Sequence, residues 1–281
     1  MAFRYTGFAD EANKDLREQC KITKEAGWDS IELRGINGTN VGSLEPDQWK
    51  EAWAILQEEG ITVAGFGSQL CNWARPITTD FQVDLDELQR CIPYMKESGA
   101  DTIRIMSYPN DGLSVDDWKA EVFRRIKELA TIAEANGIIL GHENCNGYAG
   151  DGPDECLEML EAVNSPALKL IFDSGNNTVH DSNNESTWTY YEAVREHIYH
   201  VHIKAAKPDA DGKWAMCYPD EDPVQARILA DLKATNYDGW ISIEPHMHAT
   251  VHTGKEVSDE EAAKESYIEY TRRLEKIINA L

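Results

Sequence analysis

The chain has 281 residues, of which 42% are hydrophobic, and this length and composition support one substantial core. Its 27 Lys and Arg residues against 50 Asp and Glu residues give a formal net charge of −23, which repels phosphate backbones and argues against a nucleic-acid partner. No apolar run approaches the roughly 20 residues that span a bilayer, so no membrane partner is predicted.

The cysteines and the amino-terminal segment predict a cytoplasmic protein. The six cysteines contain no CxxC pair and are scattered along the chain, unlike a disulfide framework. The opening segment MAFRYTGFADEANKD has no long apolar stretch of the kind that an export signal requires. We therefore expect a reducing environment and no export.

A unit of helix followed by strand recurs along the chain. Glycines at 27, 60, 99 and 137 follow helical segments, as left-handed caps do, and each precedes a short apolar run. Eight runs of this kind occur in chain order: FRYTGF, SIELRG, TVAGFG, TIRIMSY, IILGHEN, LKLIFDS, HVHIK and WISIEP. The repeat predicts an α/β fold, a single (β/α)8 TIM barrel, with residues 1–281 as one domain.

An open, doubly wound sheet is the alternative architecture. It usually carries a glycine-rich phosphate turn after its first strand, and the segment GFADEANKD has none. Helix signals agree with the barrel, since Ser114 and Asp222 stand where helix caps are expected and the chain closes on an apolar stripe that ends at Leu281. The barrel is therefore the preferred interpretation.

Four ionisable residues end the last four predicted strands: Glu143, Asp173, His202 and Glu244. Side chains alternate between the two faces of a strand, and the alternation places all four on the interior face. Active groups of such barrels lie at the carboxyl ends of the strands. The sequence thus predicts that the four side chains converge.

The ligand types indicate one divalent metal ion. Each residue alone is better explained as a helix cap, a solvated loop charge or a hydrogen-bonded core histidine. Together, without a cation, they would place three negative charges in one pocket, which is costly. Carboxylates and imidazole suit Mn²⁺ best, and Mg²⁺, Co²⁺ or Zn²⁺ also fit.

The strings HEN, FDSGN, HVHIK and ISIEP, in this order, resemble the xylose isomerase-like barrels, which include sugar isomerases and epimerases. The resemblance covers nearly the whole chain and extends to SIELR in the second strand. It implies metal-assisted proton transfer on a keto-sugar through an enediolate intermediate. Glu143 and Glu244 match the two catalytic glutamates of the family's ketose 3-epimerases, which work on opposite sides of the substrate carbon.

Further residues are candidates for substrate contact. The resemblance places Glu32 at the pocket mouth and gives Lys204 a contact with substrate oxygens. Arg104 could bind substrate or form a structural ion pair, for example with Glu32. Asn176 stands where those epimerases carry a substrate-contacting histidine, which leaves the reaction type open. Histidines after the eighth strand, among them His246, either replace that function or belong to a solvated loop.

Two further functions remain as alternatives. A metal-dependent lyase or dehydratase acting on an inosose or keto-sugar would use the same proton abstraction followed by β-elimination, and a binding-only module would use no chemistry. A related DNA-repair endonuclease is excluded because its extra metal-binding histidines are missing from this chain. The expected partner is an unphosphorylated sugar or cyclitol. No sequence feature sets the number of subunits, and homo-oligomers are common among such enzymes by resemblance.

Overall fold

A computed structural model describes residues 3–150, 152–247 and 260–281, and its centre is one parallel sheet of eight strands. The strands pair in chain order from the second to the eighth, and the first pairs with the eighth. The first and second strands lie side by side and bring the sheet round into a barrel. The predicted (β/α)8 TIM barrel is confirmed. The strands are β1 Arg4–Gly7, β2 Ser30–Leu33, β3 Thr62–Phe66, β4 Thr102–Ser107, β5 Ile139–Gly147, β6 Leu168–Asp173, β7 Ile198–Ile203 and β8 Trp240–Ile243.

Helices separate the strands and cover the outside of the barrel. The longest described helices follow β4 and β8, and two shorter helices lie between β6 and β7. Within the described part of the chain, no helix is both long and apolar enough to cross a membrane. The helices are α1 Leu16–Glu25, α2 Pro46–Glu59, α3 Gln82–Ser98, α4 Val115–Asn136, α5 Pro153–Val163, α6 Asn176–Asp181, α7 Asn184–Val194, α8 Pro223–Ala234 and α9 Glu260–Ala280.

The predicted helix signals act as expected. The Ser114 side chain accepts a hydrogen bond from the Asp117 backbone N–H at the start of α4, and Asp222 caps α8 in the same way. Gly60 and Gly137 end α2 and α4 in the left-handed conformation, which residues with a side chain rarely adopt. The local sequence therefore fixes where these helices start and stop.

Strand register brings the interior residues to similar heights. Glu143 pairs with Ile171, and Asp173 pairs with His202, which pairs in turn with Ser242 on β8. Residues of the opposite parity are buried between the sheet and the helices and form the core, as the alternation requires. They include Leu140, Leu170, Phe172, Val201, Ile203, Ile241 and Ile243.

Candidate metal and substrate site

The four predicted metal ligands converge at the carboxyl ends of β5 to β8. Glu143, Asp173, His202 and Glu244 each offer one ligand atom, and these atoms all lie within 4.8 Å of one another. None of the four residues is more than 3% exposed. The convergence expected from strand parity is therefore present in the fold.

The two carboxylate oxygens of Asp173 have different surroundings. Its Oδ1 accepts hydrogen bonds from the backbone N–H groups of Gly175, at 2.8 Å, and Asn176, at 2.7 Å. Its Oδ2 is buried without a hydrogen-bond partner among the described residues, although Lys204 Nζ lies 3.2 Å away as an ion pair. The carboxylate is thus fixed with one oxygen turned to the common centre.

The two ring nitrogens of His202 also face different groups. Its Nε2 lies 3.2 Å from both carboxylate oxygens of Glu32. On the other side of the ring, Nδ1 lies 3.2 Å from Glu143 Oε1 and 3.9 Å from Glu244 Oε2. The ring packs against Phe8 in a T-shaped arrangement with 5.1 Å between ring centroids. Nδ1 is therefore the nitrogen that faces the cluster.

In Glu244 and in Glu143, as in Asp173, the two carboxylate oxygens have different neighbours. Glu244 Oε1 accepts a hydrogen bond from Arg34 at 2.6 Å, while its Oε2 lies 2.8 Å from Lys204 Nζ. Glu143 Oε1 faces His202, and its Oε2 forms an ion pair with Arg104 at 3.2 Å. Both Oε2 atoms are buried and lack a hydrogen-bond partner among the residues that the structure describes. Among the described residues, the charge on these two oxygens is compensated by the ion pairs with Lys204 and Arg104, and a divalent cation would add to this compensation.

Burial and neighbouring charges shift the pKa values of the residues in the cluster. Burial opposes a charge on His202, but Glu32 and Glu143 outweigh it and raise the pKa of the imidazole to about 10. Burial also raises the pKa of Asp173, and the nearby Glu244 and Glu143 add to this effect. Burial also acts to raise the pKa of Glu143 and of Glu244, but both are lowered, because Arg104 faces Glu143 and Lys204 faces Glu244. Three carboxylate oxygens and one imidazole nitrogen fit a divalent cation.

Lys204 and Asn176 border the cluster together. Lys204 Nζ donates a hydrogen bond to Asn176 Oδ1 at 3.1 Å, and the Asn176 amide donates to the Asn144 carbonyl at 2.9 Å. Both residues are at most 9% exposed. The two residues predicted to contact substrate therefore adjoin the cluster, and Asn176 also supports Asp173 through its backbone.

Arg104 adjoins the cluster from β4. Its nearest carboxylate partner is Glu143, and Glu244 Oε1 lies 4.0 Å away. The ion pair with Glu32 that the sequence suggested is not the arrangement found. The Arg104 Nε is buried without a hydrogen-bond partner among the described residues.

Glu32 lies behind His202, at a different place from the expected pocket mouth. Its Oε2 accepts a hydrogen bond from Ser242 at 2.6 Å and lies 2.9 Å from His200 Nε2. The pairing of β2 with β3 shifts register between Ile31 and Glu32, which alternation alone does not reveal. Glu32 thus contacts protein groups with both oxygens, and a contact with substrate stays an untested prediction.

His246 lies at the rim after β8 and is bound to a residue that the sequence did not single out. Glu11 accepts a hydrogen bond from the His246 backbone N–H at 2.7 Å and lies 2.8 Å from its Nδ1. The His246 backbone has φ 51°, an uncommon conformation outside glycine. His248 and His252, the other rim candidates, lie outside the described residues.

Sequence reasoning missed Arg34, Asp10 and Glu11. Arg34 forms a two-point ion pair with Asp10, at 2.9 and 3.0 Å, and also contacts Glu11 and Glu244. A signal was available, because all three lie within a few residues after the end of β1 or β2, at the end of the barrel that carries active groups.

Comparisons with known proteins found a matching family and a curated relative. The model of the family described as xylose isomerase-like TIM barrel matches residues 20–274. D-psicose 3-epimerase from Enterocloster bolteae is 23% identical over 145 residues, which cover 50% of this chain and 44% of that protein. The match thus spans less than half of the curated relative.

Solved structures share the fold over nearly the full chain. D-psicose 3-epimerase from Clostridium cellulolyticum H10, solved with D-tagatose, superposes with a TM-score of 0.70 at 13% identity, covering 98% of this chain and 99% of that one. The probable 3-DHS dehydratase AsbF from Bacillus anthracis gives 0.72 at 17% identity, with 97% and 99% covered. A xylose isomerase-like TIM barrel protein from Mycobacterium smegmatis, in complex with magnesium, gives 0.70 at 15% identity, with 98% and 97% covered.

Proposed function

Because the chain belongs to the xylose isomerase-like TIM barrel family, we propose that it is a divalent-metal-dependent sugar isomerase or epimerase acting on a keto-sugar through an enediolate intermediate. The observation that supports this most directly is the convergence of the buried carboxylates of Glu143, Asp173 and Glu244 with the imidazole of His202. These four residues would hold one metal ion. Mn²⁺ is the expected ion because the ligands are mostly hard oxygens.

The chain's own residues would carry the proton. When bound, the metal ion supplies polarisation of a substrate carbonyl, which makes the neighbouring C–H more acidic. Glu143 lies on β5, Glu244 directly follows β8, and both border the same space, so one can remove a proton and the other return it. Arg104 and Lys204 add positive charge beside the oxygens on which negative charge develops.

A lyase or dehydratase on an inosose or keto-sugar is the second candidate. Asn176 stands where the family's ketose 3-epimerases carry a histidine, and the fold is equally similar to that of a probable dehydratase. The same proton abstraction would then be followed by loss of a β-substituent. In both candidate functions the expected substrate is an unphosphorylated sugar or cyclitol. A cytoplasmic location, one domain over residues 1–281 and a homo-oligomer also stay predictions.

Metal dependence can be tested directly. The purified protein, stripped with a chelator, is titrated with Mn²⁺ by calorimetry and then incubated with a panel of keto-sugars and inososes in deuterium oxide. We expect metal-dependent deuterium uptake at carbon, falling roughly 10²-fold or more in Glu143→Gln and Glu244→Gln because each variant loses a proton-transfer group that is also a proposed metal ligand. Glu87→Gln is the matched control, since Glu87 is a buried carboxylate outside the cluster.

The outcome also separates the two reactions. Deuterium uptake without loss of water or another leaving group supports the isomerase or epimerase, whereas a dehydrated product supports the lyase. If both glutamine variants exchange deuterium as fast as the wild type, the proposed site is wrong.

A further inference from the structure

Arg34 is a buried cation among three carboxylates. It is 6% exposed and donates to both oxygens of Asp10, to Glu11 Oε1 at 3.0 Å and to Glu244 Oε1 at 2.6 Å. Its guanidinium also lies over the Phe8 ring, 4.2 Å from the centroid. The arginine therefore joins the first turn after β1 to the last residue of the predicted metal quartet.

Three residues around Arg34 form a second group with the spacing of metal ligands. Glu11, Glu244 and His246 each offer one ligand atom, and these atoms lie within 4.8 Å of one another. Glu244 belongs both to this group and to the predicted metal quartet, so it is placed to bridge two cations, as carboxylates do in two-metal sites. The Arg34 guanidinium already contacts two of these three residues.

We propose that Arg34 is the resident second cation of this site: it stands in for a second metal ion beside Glu11, Glu244 and His246 and so keeps the site mononuclear. The proposal rests on the proposed metal ion at the quartet. By holding Glu244 Oε1, Arg34 leaves only Oε2 for that ion. Arg34 is thus a positioning residue that acts through Glu244.

Two glycines leave room beside Arg34 and its partner Asp10. A Cβ added at Gly67 would lie 3.0 Å from the Arg34 Cβ, and one added at Gly35 would lie 2.7 Å from Asp10 Oδ2. A larger residue at Gly35 would displace the Asp10 carboxylate and so disturb its ion pair with Arg34. A guanidinium is charged at every physiological pH and binds carboxylates through a rigid fork, so it supplies a permanent charge that no chelator removes.

Metal stoichiometry tests the proposal. The wild-type protein, Arg34→Met and Arg34→Gln are stripped, titrated with Mn²⁺, and measured by elemental analysis and by electron paramagnetic resonance. We expect one Mn²⁺ per wild-type chain and two in the neutral variants, with the exchange-coupled signal of neighbouring ions. Arg34→Lys retains a cation and is expected to bind one. Adding Glu11→Gln to Arg34→Met should return the number to one.

Arg75→Met is the matched control, because Arg75 also pairs with two buried acids, Asp84 and Glu87, away from the site. It should leave one Mn²⁺ per chain. Two coupled ions in the wild type or in Arg34→Lys, or one ion in both neutral variants, would overturn the inference. If the neutral variants do not fold, two coupled ions in the wild type or in Arg34→Lys would still overturn the inference. A wild type that binds no metal would refute the proposed function instead.

Discussion

Glu32 and His202 form a buried contact in which both Glu32 oxygens lie 3.2 Å from His202 Nε2, on the side of the ring away from the cluster. A carboxylate in this position fixes the orientation of an imidazole and makes its other nitrogen a better metal ligand. His202 Nδ1 faces the predicted metal position. The contact therefore connects β2 to a site whose ligands all come from β5 to β8.

Replacing Glu32 by glutamine should weaken metal binding without removing a ligand. We expect the Mn²⁺ dissociation constant of Glu32→Gln to rise about 10- to 100-fold, the usual effect of losing such a partner. Isothermal titration calorimetry measures it. Glu87→Gln is the control, because Glu87 and Glu32 are both 2% exposed. Unchanged affinity in Glu32→Gln would show that the contact serves folding alone.

The quartet could be predicted from sequence because its geometry follows from local rules. Alternation along each strand determines which residues point inward, and the strand ends determine their height, as the pairing of Asp173 with His202 shows. Glycine caps and helix starts, such as Ser114, located the repeats that gave the barrel. Each of these signals lies within a few residues of the helix or strand that it predicts.

The positions of Glu32 and Arg34 depend on long-range geometry instead. The register shift between Ile31 and Glu32 has no sequence signature. Arg34 meets Glu244 across 210 positions of sequence, and this contact exists only because the barrel brings β1, β2 and β8 together. A single sequence does not reveal such a contact, because neither residue's neighbours specify the other.

Asn176→Ala should impair substrate binding more than metal binding. The change removes the side-chain acceptor of Lys204 but keeps the backbone N–H that supports Asp173 Oδ1. We expect KM to rise several-fold while the Mn²⁺ dissociation constant changes less than about threefold, since the ligand's partner survives. Steady-state kinetics and calorimetry on one preparation measure both. A loss of metal binding equal to the loss of activity would contradict this assignment.

The cysteines should be unreactive in the folded protein. All six are free thiols, and all except Cys145 are buried. Burial raises the pKa of Cys20 and Cys217 to about 12, and the thiolate is the reactive form. We expect less than about one thiol per chain to react with Ellman's reagent at neutral pH, and six in guanidinium chloride. Rapid reaction of several native thiols would contradict the burial.

The same shifts predict a loss of stability at high pH. A thiol pKa raised from its ordinary 9.0 to about 12 favours the folded state fully below pH 9, and this contribution falls as pH rises towards 12. Thermal unfolding at pH 8 and pH 10.5 should show a lower Tm at the higher pH. Cys20→Ala, which lacks the thiol, should show a smaller decrease than the wild type.

Glu121 should stabilise α4 at neutral pH and lose this effect in acid. Its carboxylate accepts hydrogen bonds from Arg124, at 2.7 and 2.8 Å, and from Arg125, at 2.7 Å, which lower its pKa to about 2. A lowered pKa contributes stability above the ordinary value near 4.5, and the contribution disappears as pH falls towards 2. We expect Glu121→Gln to lower the free energy of unfolding by about 0.2–1 kcal/mol at pH 7 and low salt.

Urea unfolding of Glu121→Gln and wild type at pH 7 and pH 3 measures this difference. Glu128→Gln is the matched control on the same helix, because Glu128 pairs only with Arg124, at 3.1 Å, among the described residues, and its side chain is 49% exposed. Its effect should be smaller at pH 7, since an exposed single pair gains little from the ionic contact. A Glu121→Gln difference that stays constant from pH 7 to pH 3 would mean that packing, and not charge, explains the contribution of Glu121.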